Sequence, residues 1–148
     1  MDDPHCRFNN KQNLYAIFDR TIEESGLKDA AAELKKGIIA FSPLAQGLLT
    51  NRYLNGIPED SRIRTDGRFL KKEALTEEWL QQIRNLNGIA AGRGQTLAEM
   101  ALSWVLHDGS VTSVLVGASK PQQVIDNVKA IENLTFTEEE LGKIEEIM

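Results

Sequence analysis

A single cysteine, Cys6, among 148 residues excludes an internal disulfide and makes a reducing, cytoplasmic setting the simplest expectation. No apolar run approaches the ~20 residues needed to cross a bilayer as a helix. The opening MDDPHCRFNN also lacks the apolar stretch of a secretory signal, so no membrane partner is expected. Internal repeats and low-complexity tracts are missing too. His5 with Cys6 is too poor a donor set for zinc, and no nucleophile stands beside a base at a spacing that would activate it. A net charge of −5 excludes nucleic acid as the main partner. What is present, 41% hydrophobic and 26% charged residues, describes one soluble globular domain with a real core.

The charge is unevenly spread. Six basic residues between positions 52 and 73 (Arg52, Arg62, Arg64, Arg68, Lys71, Lys72) face four acids, so that segment is +2 and the remainder −7. It reads either as a solvated loop of mixed charge or as a local positive field awaiting an anionic ligand.

Residues 1–11 are polar and are expected to be loosely held. SGLKDAAAELKKG, from Ser25, sets Leu27, Ala30, Ala31 and Leu34 on one helical face. Lys35 and Lys36 suit the last turn, and Gly37 is expected to take the left-handed position that closes the helix. IIAFS, residues 38–42, reads as a buried strand. A long Gly-, Pro- and Asn-rich loop follows from Pro43 to Phe69. Thr76 starts a helix carrying Trp79, Ile83, Leu86 and Ala90 on one side and ending at Gly92–Gly94. The capping box Thr96–Glu99 opens another with Leu97, Met100, Ala101 and Trp104 inward, and His107 near its end complements the dipole. VTSVLVG, residues 111–117, is a second strand. SKPQ, residues 119–122, reads as a capping box for a helix with Val124, Ile125, Val128 and Ile131 as its apolar face. Thr137–Glu140 caps a last helix that buries Leu141 and Ile144.

This order implies an α/β fold of parallel strands covered on both faces. Two firm strands, or three if one lies near Tyr15, neither close a barrel nor fill a doubly wound sheet, and both would leave apolar edges. The pattern is that of part of a larger fold.

Two strand exits concentrate the chemistry. At Gly117 the absence of a side chain admits a ligand to the backbone. The helix beyond Ser119 starts with unpaired N–H groups that attract phosphate. Lys120 adds charge there, and Gln123, Asp126 and Asn127 on adjacent turns suit a ribose or purine edge. FSPLAQGLLT, residues 41–50, leaves the other strand through Ser42, Pro43, Leu44 and the backbone of Ala45–Gly47, where ligands of parallel α/β folds collect. Taken alone, each is also an ordinary strand-to-helix connection.

Together, IIAFSPLAQGLLTNRYLNGIPEDSR and LAEMALSWVLHDGSVTSVLVGASKPQQVIDNV resemble the C-terminal half of the aldo-keto reductases. The likeness is to the branch of L-glyceraldehyde 3-phosphate reductases and potassium-channel β subunits, and it spans residues 12–148. It implies the C-terminal, incomplete portion of a (β/α)8 barrel that binds NADPH (NADP) across the carboxyl ends of its strands. Carried over by position, Tyr15 stacks on the nicotinamide, and Ser42, Pro43, Leu44, Ala45 and Gly47 form the pyrophosphate loop with Arg52 where a Lys often helps. Gly117, Ser119, Lys120, Gln123, Asp126 and Asn127 then meet the adenosine phosphate and adenine. Ala16 departs from the family's usual Asn, and Asp126 replaces a usual Glu. The resemblance also implies that the catalytic Asp, Tyr, Lys and His belong to the half of the barrel without a counterpart here. The chain is therefore expected to lack carbonyl reductase activity alone, as a shortened gene, frameshifted frame or cleavage product with residues 1–11 at the junction. Alternatives are a noncatalytic assembly module, pairing with a copy of itself or with an N-terminal half through exposed strand edges, and a product with no independent role.

Overall fold

A computed structural model describes residues 10–55 and 76–148. His5, Cys6, most of the 1–11 segment, the loop beyond Asn55 and the basic residues Arg62, Arg64, Arg68, Lys71 and Lys72 lie outside the described residues.

Three parallel strands form one sheet in the order β1 (Asn10–Leu14), β2 (Gly37–Phe41), β3 (Val111–Leu115). β1 is the strand near Tyr15, and it starts inside the stretch expected to be loosely held. Its exposed Asn10, Lys11 and Gln12 suit a solvated edge. β2 is central and alternates as one covered strand should. Ile38 and Ala40 are fully buried beneath the helices, while Gly37, Ile39 and Phe41 turn to the opposite face and stay partly exposed.

Between β1 and β2 lie α1 (Thr21–Glu24) and α2 (Leu27–Glu33). The expected apolar face of α2 is only partly realised. Ala31 is buried, whereas Ala30 is exposed and Leu34 is 65% exposed. Gly37 does not close this helix. Lys35 takes the left-handed backbone with φ 52°, and Gly37 is already the first residue of β2. What needs the glycine is strand packing, since a Cβ at position 37 would stand 2.9 Å from Thr112 Oγ1.

Beyond β2, short 3-10 turns at Ala45–Gly47 and Asn51–Tyr53 precede α3 (Glu77–Gly92) and α4 (Leu97–Leu106). Both long helices begin as their sequences require. Thr76 accepts from the Trp79 N–H, and Thr96 with Glu99 forms a reciprocal capping box. α3 buries Leu80, Ile83, Leu86 and Ala90 and ends where Gly94 takes φ 69°. α4 is the core helix, its residues 99–105 buried all round. After β3 come α5 (Pro121–Val128), a 3-10 turn at Lys129–Glu132, and α6 (Glu138–Ile147), whose Ile144 is fully buried. α5 forms where its capping signal puts it and keeps its apolar face exposed. None of its eight residues is buried, and Val124, Ile125, Val128 and Ile131 are 48–62% exposed.

Arg93 fastens the C-terminal segment to this frame. Its side chain is 3% exposed, donates to Glu140 Oε2 at 2.7 Å and to the Asn133 carbonyl at 3.2 Å, and lies 3.7 Å from the centroid of the Phe136 ring. Among the described residues, no helix is long and apolar enough to cross a membrane, and no cluster of His, Cys, Asp and Glu is arranged to hold a metal.

Candidate cofactor site at the strand ends

Parallel pairing brings the exits of all three strands to one end of the sheet. Leu14 pairs with Phe41, and Phe41 with Leu115. The 42–50 loop and the 116–120 turn therefore leave neighbouring strands side by side, about 5 Å apart at the backbone. The two motifs that the sequence separates by seventy-odd positions stand together.

The first loop has an unusual backbone. Ser42, Ala45 and Gln46 adopt φ 54°, 47° and 59°, and Gly47 adopts φ 95°. Three non-glycine residues in the left-handed region store strain that surrounding structure must hold in place, a situation concentrated at ligand clamps. The restraint is visible. Pro43, Leu48 and Leu49 are buried, Leu44 packs against the core, and Gly47 N–H and Leu49 N–H both donate to the Leu44 carbonyl, at 2.9 and 3.2 Å. Thr50 caps the next turn, accepting from the Arg52 N–H while donating to the Gly47 carbonyl at 2.7 Å. Arg52 is exposed at the far side of this turn.

The second exit is open. Nothing lies within 4 Å of where a Cβ on Gly117 would sit, so the space beside that backbone belongs to no other group described. Ser119 is not the cap of α5. The position falls to Lys120, in extended conformation, and the Gln123 side chain reaches back to do the capping. Gln123 Oε1 accepts from Ser119 N–H at 2.8 Å and Lys120 N–H at 3.1 Å, with Ser119 Oγ at 3.2 Å. The N–H groups suited to phosphate are thus bound to a neutral, exposed amide, which an anion can displace without uncovering a buried group. On the next turn Asp126 accepts from Lys129 at 2.9 Å and Gln122 at 3.0 Å; these bonds, Lys129's foremost, lower its pKa. Asn127 is its half-buried neighbour.

Tyr15 is the correction. As the residue after β1 it shares the phase of Asn13, which pairs with buried Ala40, and so turns into the helical layer. Its ring is fully buried, 5.3 Å from Trp104 between centroids, and cannot stack on a ligand at the strand ends. Its hydroxyl donates to Glu23 and lies 3.2 Å from Lys28 Nζ, which also pairs with Asp108 Oδ2 at 2.7 Å. No local pattern announces this cluster, because its members come from four separate stretches: the end of β1, α1, α2 and the turn after α4. It joins a tyrosine, a lysine and an aspartate through hydrogen bonds and ion pairs. Burial and the Glu23 carboxylate push the tyrosine hydroxyl well above its ordinary range. Burial works to raise Asp108 as well, but hydrogen bonds from Lys28 and Ser110 outweigh it and bring the carboxyl down to about 2. The aromatic ring at the strand ends is instead Phe41, half-buried and directed away from the helices.

The whole of residues 1–148 matches the family model described as "Aldo/keto reductase family". L-glyceraldehyde 3-phosphate reductase of Escherichia coli O157:H7 is 52% identical over 138 residues, covering 91% of this chain and 40% of the relative. A putative voltage-gated potassium channel subunit beta of Schizosaccharomyces pombe is 41% identical over 116 residues, covering 76% of this chain and 34% of the relative. Among solved structures, a glycerol dehydrogenase from Gluconobacter oxydans superposes with a TM-score of 0.75 at 29% identity, over 93% of this chain and 41% of the other. The chain thus spans about two-fifths of the length of these relatives, and its three parallel strands correspond to part of their barrel. This chain belongs to the aldo/keto reductase family.

Proposed function

We propose that this chain is the cofactor-phosphate-holding portion of an NADPH-dependent aldo-keto reductase barrel. The observation that carries the reading is the left-handed 42–47 loop standing beside the open Gly117 turn at one end of a parallel sheet. The residues fit the group. A clamped loop with outward backbone suits a pyrophosphate, and the α5 terminus with Lys120 suits a further phosphate. Asp126 and Asn127, a turn along, offer an acceptor and an amide for the adenosine. When bound, the cofactor supplies a hydride to an aldehyde or ketone carbon. Phe41 flanks the nicotinamide in the role first expected of Tyr15. Lys28 and Tyr15 are committed to each other beneath the helices, so proton delivery to the carbonyl oxygen falls to groups outside this chain, and the chain alone does not reduce carbonyls.

Titration of the tryptophan fluorescence with NADPH and NADH tests the reading. NADPH is expected to bind weakly, since an incomplete barrel must order its loops on binding, and more tightly than NADH. Lys120→Glu removes an exposed charge contact worth about 1 kcal/mol and should weaken NADPH about fivefold while leaving NADH nearly unchanged. Equal affinity for the two nucleotides, unmoved by that substitution, refutes the phosphate assignment.

A further inference from the structure

We infer that the cavity between the start of α4 and the 3-10 turn after α5 binds a small organic cation, an aliphatic di- or polyamine, through the carboxylates of Glu99 and Glu132. None of the residues assigned to the cofactor lines this cavity, so the inference is independent of that reading. The volume is about 530 Å3, and Arg93, Thr96, Glu99, Lys129, Glu132 and Asn133 stand in its wall. A space of that size takes an organic molecule rather than one water or one ion.

The charge facing the cavity is negative, because both cations in the wall are already engaged. Arg93 donates to Glu140 at 2.7 Å, to the Asn133 carbonyl at 3.2 Å and to Gln95 Oε1 at 2.8 Å. Lys129 Nζ donates to Asp126 at 2.9 Å. Neither Glu140 nor Asp126 belongs to the wall, which leaves Glu99 and Glu132 uncompensated there. Glu99 is only 9% exposed. Its Oε2 accepts from the Thr96 N–H at 2.9 Å, while its Oε1 accepts no hydrogen bond among the described residues. That oxygen is not among the side-chain atoms sealed from solvent without a partner, so the cavity is its opening. Glu132, exposed on the turn, makes no ion pair with a described residue. The Lys129 ammonium already registers this field: its pKa is raised first by the bond to Asp126 and further by Glu99 and Glu132.

The donor set selects the ligand class. An anion would meet two carboxylates, and the first turn of α4 is closed to it by the reciprocal bonds of Thr96 and Glu99. A metal ion needs more ligands than two carboxylates, and no group of three His, Cys, Asp or Glu is assembled among the described residues. A neutral polyol would leave the enclosed Glu99 charge without a partner. An ammonium brings three donors and needs no fixed coordination geometry, and two carboxylates in one cavity suit a molecule that carries two or more of them.

The test titrates the isotope-labelled chain, without nucleotide, with putrescine and with spermidine at constant ionic strength and follows the amide chemical shifts. Saturable shifts are expected at Gly94, Thr96, Glu99 and Asn133, at lower concentration for spermidine, and none from sodium chloride. Glu132→Gln should weaken spermidine about threefold, the effect of one exposed charge contact. Glu99→Gln, whose amide oxygen still accepts from the Thr96 N–H, should weaken it about tenfold. Glu139→Gln, an equal change of net charge on exposed α6, should leave it unchanged. If Glu99→Gln disturbs the fold in the same spectra, Glu132→Gln at its exposed position decides alone. The absence of saturable shifts overturns the inference. So do shifts spread over the glutamates of α6, or an affinity that Glu132→Gln and Glu139→Gln change equally.

Discussion

Arg93→Met isolates the interaction that ties α6 to the rest of the molecule. Glu140 Oε2 accepts from both Arg93 at 2.7 Å and the Thr137 N–H at 2.8 Å, so one carboxylate closes the capping box of α6 and anchors the guanidinium. Methionine keeps much of the side-chain volume but removes the fork and the charge. A hydrogen bond to a charged group contributes about 1.5–3 kcal/mol, and a partly desolvated cation over an aromatic face about 0.5–2 kcal/mol. The Phe136 contact at 3.7 Å and the 3% exposure of Arg93 place both at the buried end of their ranges. Glu140 keeps its Thr137 donor and is 26% exposed, so it is not left as an isolated buried charge. The expected loss is about 2–4 kcal/mol, or roughly 5–15 °C in Tm for a domain of this size.

Urea unfolding followed by tryptophan fluorescence and by circular dichroism measures it, with Arg84→Met as the reference. Arg84 pairs with Glu77 at the same 2.7 Å, but the two side chains are 39% and 76% exposed. Its removal should cost below about 0.5 kcal/mol. Glu140→Gln separates the two duties of the carboxylate, because an amide oxygen still accepts from Thr137 while the ion pair is lost. A loss at Arg93 no larger than at Arg84 refutes the reasoning, since distance alone would then have ranked the pairs.

Two further outcomes follow from the strand ends and the buried cluster. Phe41→Ala should weaken NADPH about 2–10-fold, the range of one aromatic stacking contact, whereas Tyr15→Phe should leave NADPH affinity unchanged and lower stability; fluorescence titration beside urea unfolding decides. Asp108 has its pKa lowered from 3.8 to about 2, so the stability it lends is present above the unfolded value and disappears as pH falls through the folded one. Stability measured from pH 5 to pH 2 should therefore fall less steeply for Asp108→Asn than for the parent chain, and equal slopes would show that the Lys28 contact does not persist in solution.

The helices were legible because their signals are local. The capping boxes at Thr96 and Thr137 and the apolar spacing of α3 and α4 need only neighbours in sequence, and each stands where the pattern puts it. The strand-exit residues were legible as candidates, and parallel pairing of β2 with β3 is what makes them one place. Gly37 shows a local rule losing to a distant one. A glycine after two lysines is a good helix terminator, but Thr112, brought against it by strand pairing, is what excludes a side chain there.

The burial of Tyr15 and the exposure of α5 were not legible, and the two share a cause. Whether Tyr15 faces a ligand or the core depends on the phase of β1, fixed by its register on β2 and not by the four polar residues before Leu14. Whether Val128 is buried depends on what lies beyond β3, and periodicity encodes only the wish for a partner. A residue pattern states which face is apolar; the covering layer states whether it is dry. Among the described residues the apolar side of α5 stays half-exposed although its spacing is that of a packed helix.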